Sequence, residues 1–124
     1  MVELTRFLSA QDIHLDVPAT DKAAVLAFAA QVLDGELPAD AIEALLSARE
    51  QVASTGVGEG VAIPHASTAL ITAPRVVLVR TTSPVAFEAV DELPVQLIFA
   101  VLAPAGAQAL HLRLLARVAR LVRA

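Results

Sequence analysis

The sequence predicts an α/β domain in which helices pack on a sheet, and three observations carry that reading. Two runs, Val76 to Thr82 and Val95 to Ala103, are dense in β-branched and large aliphatic residues, as central strands are. Two earlier stretches repeat their apolar residues with a period near 3.6, as amphipathic helices do. The order of strand, two helices, several strands and a helix matches a sheet layered with helices. Sheet order and strand direction do not follow from this pattern.

Taken in order, Ile13-His14-Leu15-Asp16-Val17 alternates like a half-buried strand and stops at Pro18. Thr20-Asp21 can cap a helix with Val25, Leu26, Phe28, Ala29, Val32 and Leu33 on its apolar side, ended by Asp34-Gly35. Pro38 suits the first turn of a second helix, in which Ile42, Leu45, Leu46 and Arg49 fall at i, i+3, i+4 and i+7. Ser54 to Gly60 is a turn, and Val61-Ala62-Ile63 reads as a short buried strand halted by Pro64. The last helix starts near Ala109, with Leu110, Leu114, Val118, Leu121 and Val122 on one face and Arg113, Arg117, Arg120 and Arg123 on a stripe of their own.

At 124 residues the chain has room for one core. Apolar residues make up 56% and mean hydropathy is +0.67, so a membrane span needs testing. The longest apolar stretch, Leu97 to Ala107, contains Pro104 and falls short of the roughly 20 residues a spanning helix requires. With no signal-peptide pattern either, the expectation is a cytoplasmic protein without membrane insertion. The absence of cysteine excludes disulfides, thiol catalysis and cysteine metal sites. Net charge is −4, and residues 1–62 hold ten acids against three bases while 63–124 hold three against six. An acidic half, no Trp or Tyr and only four Phe argue against nucleic acid as the principal partner. An acidic surface instead suits docking to a basic protein.

The candidate chemistry is concentrated in the 17 residues from Arg49 to His65. Arg49 occupies an apolar-stripe position, where a guanidinium is costly unless paired or directed into a polar cleft; alternatively it snorkels, or hydrogen-bonds the last helical carbonyls. Gly56, Gly58 and Gly60, with Ser54, Thr55 and Glu59 among them, permit tight turns and can expose N–H groups to an anion. The segment has no P-loop lysine and no dinucleotide fingerprint, and a glycine-rich turn by itself is commonly only a turn. His65 sits where a strand hands over to a loop, a favoured place for ligand sites, and histidine is the side chain most readily used as a nucleophile near neutral pH. His111 falls in the first turn of the last helix, where the dipole keeps an imidazole neutral and stabilises a nearby anion. His14 has no companion signal and reads as structural. Two histidines plus Glu59 are also a zinc ligand set, but no local His spacing supports it, and the nucleophile elbow of a Ser-His-Asp hydrolase is missing.

Arg49-Glu50, Ser54-Thr55-Gly56, Gly58, Gly60 and Val61-Ala62-Ile63-Pro64-His65 together resemble the phosphorylation-site signature of the fructose/mannitol-type (type 2) enzyme IIA domains of the bacterial phosphotransferase system. The resemblance extends to the opening, Phe7-Leu8-Ser9 through Ile13–Val17 to Lys22, to Pro84-Val85-Ala86-Phe87 and Pro94 to Phe99, and to the run from Pro104 to His111-Leu112. It implies a single domain over 1–124 with a mixed β-sheet flanked by helices. It also implies a phosphohistidine carrier in which His65 takes the phosphoryl group from the phosphocarrier protein HPr through Nε2. His111 is then the adjacent active-site histidine, Arg49 stabilises the phosphoryl group, and Ser54, Thr55, Gly58 and Glu59 line the site, with neither metal nor cofactor required. The acceptor is an enzyme IIB domain or a regulated protein. The unbroken Ser-Thr-Gly-Val-Gly-Glu-Gly-Val-Ala-Ile-Pro-His is most similar to the nitrogen-regulatory branch; a fructose-type sugar-transport component and a non-catalytic binding module are the alternatives. Family members usually continue through a further helical segment after the second histidine. The resemblance therefore implies either that this segment is lacking or that the sequence is truncated, and self-association as a homo-oligomer is one way to satisfy an apolar face left uncovered.

Overall fold

A computed structural model describes residues 10–106, so the predicted last helix, His111 and the opening residues Phe7, Leu8 and Ser9 lie outside the described part. A 3₁₀ turn (Ala10–Asp12) leads into β1 (Ile13–Val17), followed by α1 (Lys22–Leu33), α2 (Ala39–Val52), β2 (Gly56–Gly58), β3 (Val61–Ala62), β4 (His65–Thr68), β5 (Arg75–Val85) and β6 (Val95–Pro104). The six strands form one mixed sheet in the order β1-β5-β6-β3-β2, with β4 also on β6. Pairing is antiparallel for β5–β6 and β2–β3, and parallel for β1–β5, β3–β6 and β4–β6.

β5 and β6 are central, and both of their faces are apolar. Val77, Val79, Ile98, Ala100 and Leu102 alternate into the core shared with the helices, while Val76, Phe99, Val101 and Ala103 are buried on the opposite face. Two buried faces are why these strands read as continuous aliphatic runs rather than alternating ones. From the helices, Val25, Leu26, Ala29, Leu33, Ile42 and Leu46 complete the core. α1 packs on α2 and β5, and α2 packs on β4.

Within the described residues the expected helices and strands are present, β2 and β4 are strands the sequence reading did not place, and three further differences concern boundaries. Asp21 caps α1, its Oδ1 accepting from the Ala24 N–H at 2.7 Å. Pro38 is the N-cap of α2 rather than a residue of its first turn, because Asp34 Oδ2 accepts from the Ala39 N–H at 2.9 Å and starts the helix there. In β1 a bulge between His14 and Val17, with Asp16 at φ +57°, breaks the alternation. Val17 is buried but Ile13 and Leu15 stay exposed on this edge strand.

The third difference bears on the site. Pro64 does not end the strand. β3 and β4 lie along the same side of β6 in one register, with Ala62 opposite Ile98 and His65 opposite Val101. Pro64 lacks the N–H a ladder needs, so only its carbonyl takes part, accepting from Val101 at 2.8 Å. By ordinary strand alternation the Ile63 main chain faces β2 rather than β6: its N–H donates to the Thr55 carbonyl at 2.9 Å. Among the described residues no helix is long and apolar enough to cross a membrane.

Candidate functional site

His65 opens β4, directly after the interrupted strand, and is half-buried. Its Nδ1 lies 2.7 Å from the Ile63 carbonyl oxygen. A carbonyl can only accept, so Nδ1 carries the proton and Nε2 carries the lone pair in the neutral ring. The carbonyl is available to the ring because the Thr55 N–H that would face it across the β2–β3 pairing donates to Glu50 instead. The His65 pKa is lowered from 6.5. Burial is the main cause and the Arg49 guanidinium adds to it; the hydrogen bond to Ile63 and the Glu50 carboxylate act in the opposite direction. His65 is therefore a neutral, oriented imidazole within electrostatic reach of both Arg49 and Glu50.

Arg49 stands in the last turn of α2 and makes the capping contact that the sequence left as one of its alternatives, Nη1 donating to the Ala53 carbonyl at 2.8 Å. That contact holds the guanidinium at the end of the helix while its charge still acts on His65. Glu50, the next residue, is buried, and the sequence reading assigned it no role. Both of its carboxylate oxygens accept from the Thr55 N–H, each at 3.1 Å, and Oε1 lies 3.1 Å from Lys22 Nζ. The available signal was the acid itself, which lies four residues after Leu46 on the apolar stripe of α2.

Of the two readings open for the glycine-rich turn, an anion cradle or only a turn, its hydrogen bonds among the described residues favour the second. It is a β2–β3 hairpin whose tip, Glu59-Gly60, has φ of +58° and +80°, the pattern of a type I′ turn. Three of its N–H groups are already donated within the chain: Thr55 to Glu50, Gly56 to Ser54 Oγ at 3.0 Å and Glu59 to Asp91 Oδ2 at 2.9 Å. The chain's own carboxylates occupy positions where an outside anion would bind. Ser54 is fully engaged as well, its hydroxyl donating to the Phe87 carbonyl. Thr55 Oγ1 is buried and has no hydrogen-bond partner among the described residues. Gly58, at φ +98°, faces Asp91, and the Glu59 side chain is exposed.

Arg49, Glu50 and His65 are thus brought together at the end of α2, and Ser54 and Thr55 fix the start of the hairpin against helix and loop. Gly58 and Glu59 belong to the hairpin tip, tied to the Asp91 loop. His14 is structural as read: Nε2 donates to the Gln11 carbonyl at 3.0 Å and the ring meets Phe28 edge-on. Among the described residues no group of three or more His, Asp or Glu side chains converges as metal ligands.

Residues 6–124 match the family described as "Phosphoenolpyruvate-dependent sugar phosphotransferase system, EIIA 2". The chain is 36% identical over 125 residues to a nitrogen regulatory protein of Pseudomonas aeruginosa, covering 98% of this chain and 81% of that protein. It is 35% identical over 124 residues to the fructose-specific EIIABC component of Bacillus subtilis, again over 98% of this chain but only 20% of that much longer protein. The crystal structure of the nitrogen regulatory protein IIA-Ntr from Neisseria meningitidis superposes with a TM-score of 0.89 at 36% identity, covering 92% of this chain and 80% of that one. By sequence over nearly its whole length, and by fold, this chain belongs to the EIIA 2 family of the phosphoenolpyruvate-dependent sugar phosphotransferase system.

Proposed function

We propose that the protein is a phosphohistidine carrier acting from residues 1–124 as one cytoplasmic EIIA domain, with His65 as the residue that is phosphorylated. The observation carrying this reading is the His65 Nδ1–H bond to the Ile63 carbonyl, which makes Nε2 the basic nitrogen. In the transfer, the Nε2 lone pair forms the bond to phosphorus as the donor's own bond to phosphorus breaks and its electron pair returns to the donor. No proton has to leave Nε2 first, because a buried imidazole with a lowered pKa is already neutral there. Arg49, a cation close enough to act on the ring, then faces the incoming phosphoryl oxygens. Since the hairpin N–H groups of Thr55, Gly56 and Glu59 are engaged, Arg49 and the second histidine, His111, carry more of that charge than the glycine turn does.

The donor is the phosphocarrier HPr. A regulatory role is favoured over sugar transport because the nitrogen regulatory relative is matched over most of its own length. The alternative acceptor is an enzyme IIB domain, as for a fructose-type component. The test is incubation with phosphoenolpyruvate, enzyme I and HPr, followed by intact masses of wild type and His65→Ala. One acid-labile phosphate on wild type alone is expected; a folded wild type that takes none, beside a working control domain, overturns the carrier reading. Capture of partners with wild type and His65→Asp then distinguishes a phospho-switch from a binding module indifferent to the charge at that position.

A further inference from the structure

Three hydrogen bonds, passing through the main chains of Thr55 and Ile63, link the Glu50 carboxylate to the His65 ring. The carboxylate accepts from the Thr55 N–H at 3.1 Å, the Thr55 carbonyl accepts from the Ile63 N–H at 2.9 Å, and the Ile63 carbonyl accepts from His65 Nδ1–H at 2.7 Å. The N–H and C=O of Thr55, like those of Ile63, belong to different peptide groups, so the link is mechanical: the carboxylate fixes the Thr55 main chain, which fixes Ile63 and with it the carbonyl that takes the ring proton. We propose that Glu50 is a positioning residue for His65, orienting the imidazole and its Nδ1–H tautomer through the main chain of Thr55 and Ile63. The inference rests on His65 being the phosphoryl acceptor and names the group that prepares it.

The surroundings of Glu50 suit that task. Its side chain is 4% exposed, and a charge so placed needs a fixed partner. Lys22, in the first turn of α1, supplies it at 3.1 Å. Lys22 is itself held over the Phe87 ring, 5.0 Å from its centroid, and Phe87 in turn accepts the Ser54 hydroxyl through its carbonyl. The end of α2, the start of α1, the start of the hairpin and the loop after β5 therefore meet at one ion pair. Carboxylates that orient a histidine usually touch the ring directly; here the main chains of Thr55 and Ile63 stand between them, which lets the acid stay buried while the ring faces the partner. Glu50 also opposes the effect of burial on the ring, favouring the protonated imidazole.

Glu50→Ala removes the acceptor of the Thr55 N–H; Glu50→Gln keeps one, since its amide oxygen can still accept from Thr55 and Lys22 keeps Glu88 at 3.6 Å as a partner. Two measurements on the full chain are decisive. Ring ¹⁵N shifts of the unphosphorylated protein read the His65 tautomer: wild type and Glu50→Gln are expected to hold Nδ1–H, and Glu50→Ala to mix tautomers. Single-turnover transfer from phospho-HPr is expected to slow by about 10- to 100-fold in Glu50→Ala with the concentration for half-maximal rate unchanged, and to recover in Glu50→Gln. A folded Glu50→Ala with wild-type ring shifts, one whose loss appears only in the half-maximal concentration, or a Glu50→Gln as impaired as Glu50→Ala, overturns the proposal. If wild type accepts no phosphate, the carrier reading fails, while the ring shifts still decide whether Glu50 orients His65.

Discussion

Substituting alanine for Gly56 is a sharp test of how the hairpin is seated beside the site. Gly56 is not in the left-handed region, so glycine is needed there for space rather than for φ. A Cβ at this position would stand 2.6 Å from Ala89 Cβ and 2.8 Å from Ala89 Cα, where carbon pairs settle at about 3.5–4.0 Å. Ala89 is 5% exposed and one of the clashing atoms is main chain, so no side-chain rotation relieves the contact. β2 and the loop after β5 must part by about 1 Å, the shortfall against ordinary carbon separation. That parting stretches the Val90 N–H bond to the Gly56 carbonyl, already 3.3 Å, and the Ser54 bridge to Phe87. Overpacking of this kind costs about 1–3 kcal/mol and a weakened hydrogen bond about 1 more, offset by about 0.4–1 from the stiffer unfolded chain. The net expectation is a loss of about 2–3 kcal/mol, a large share of a small domain's stability. Urea unfolding followed by far-UV circular dichroism is the assay, since the chain has no Trp or Tyr for fluorescence. The midpoint should fall with the slope unchanged. Gly60→Ala is the control: only the Pro94 carbonyl lies near its Cβ, at 3.9 Å, but φ is +80°, so it should lose about 1–2 kcal/mol for a backbone reason that asparagine largely relieves. A Gly56→Ala midpoint equal to wild type would refute the close packing of hairpin on loop.

Arg49→Ala should slow phosphorylation of His65 by about 10²–10³-fold, as loss of a charge-stabilising donor does, and should cost the fold only about 1 kcal/mol because among the described residues its hydrogen bond is to the Ala53 carbonyl. Transfer kinetics and urea unfolding on the same preparation check both halves, and an unfolded variant would mark Arg49 as structural. In that variant the His65 pKa should rise toward 6.5, because one of the influences lowering it is gone; a ring titration by NMR reads this directly. His65 also makes stability depend on pH. Its folded pKa lies below the unfolded 6.5, so between those values the unfolded chain binds more protons and stability climbs with pH, levelling off above 6.5. His65→Gln should flatten that rise in the urea midpoint, and an unchanged slope would mean that His65 is not buried as a neutral ring.

Much of the fold is legible in the residues because local chemistry dictates it. The period of Ile42 to Arg49 makes an amphipathic helix, Lys22–Leu33 is a helix apolar on nearly every side that buries Val25, Leu26, Ala29, Ala30 and Leu33, the Asp21 carboxylate caps its own helix, and the aliphatic runs at 76–82 and 95–103 have few alternatives to a doubly covered strand. The cluster of Arg49, the glycine turn and His65 within 17 residues also marks the site, since a histidine after an apolar run beside a helix-borne arginine is a local pattern. Other features were decided only in three dimensions. That Pro64 interrupts a strand instead of ending it depends on β6 lying alongside to resume the ladder at Val101. That the glycine turn is filled by its own chain depends on Glu50 and Asp91, and Asp91 is 32 residues from the Glu59 N–H it accepts. Periodicity reads neighbours along the chain; the pairing of Lys22 with Glu50, the seating of Gly56 on Ala89 and the route from Glu50 to the His65 ring all join segments distant in sequence, whose meeting is set by how the sheet and helices pack together.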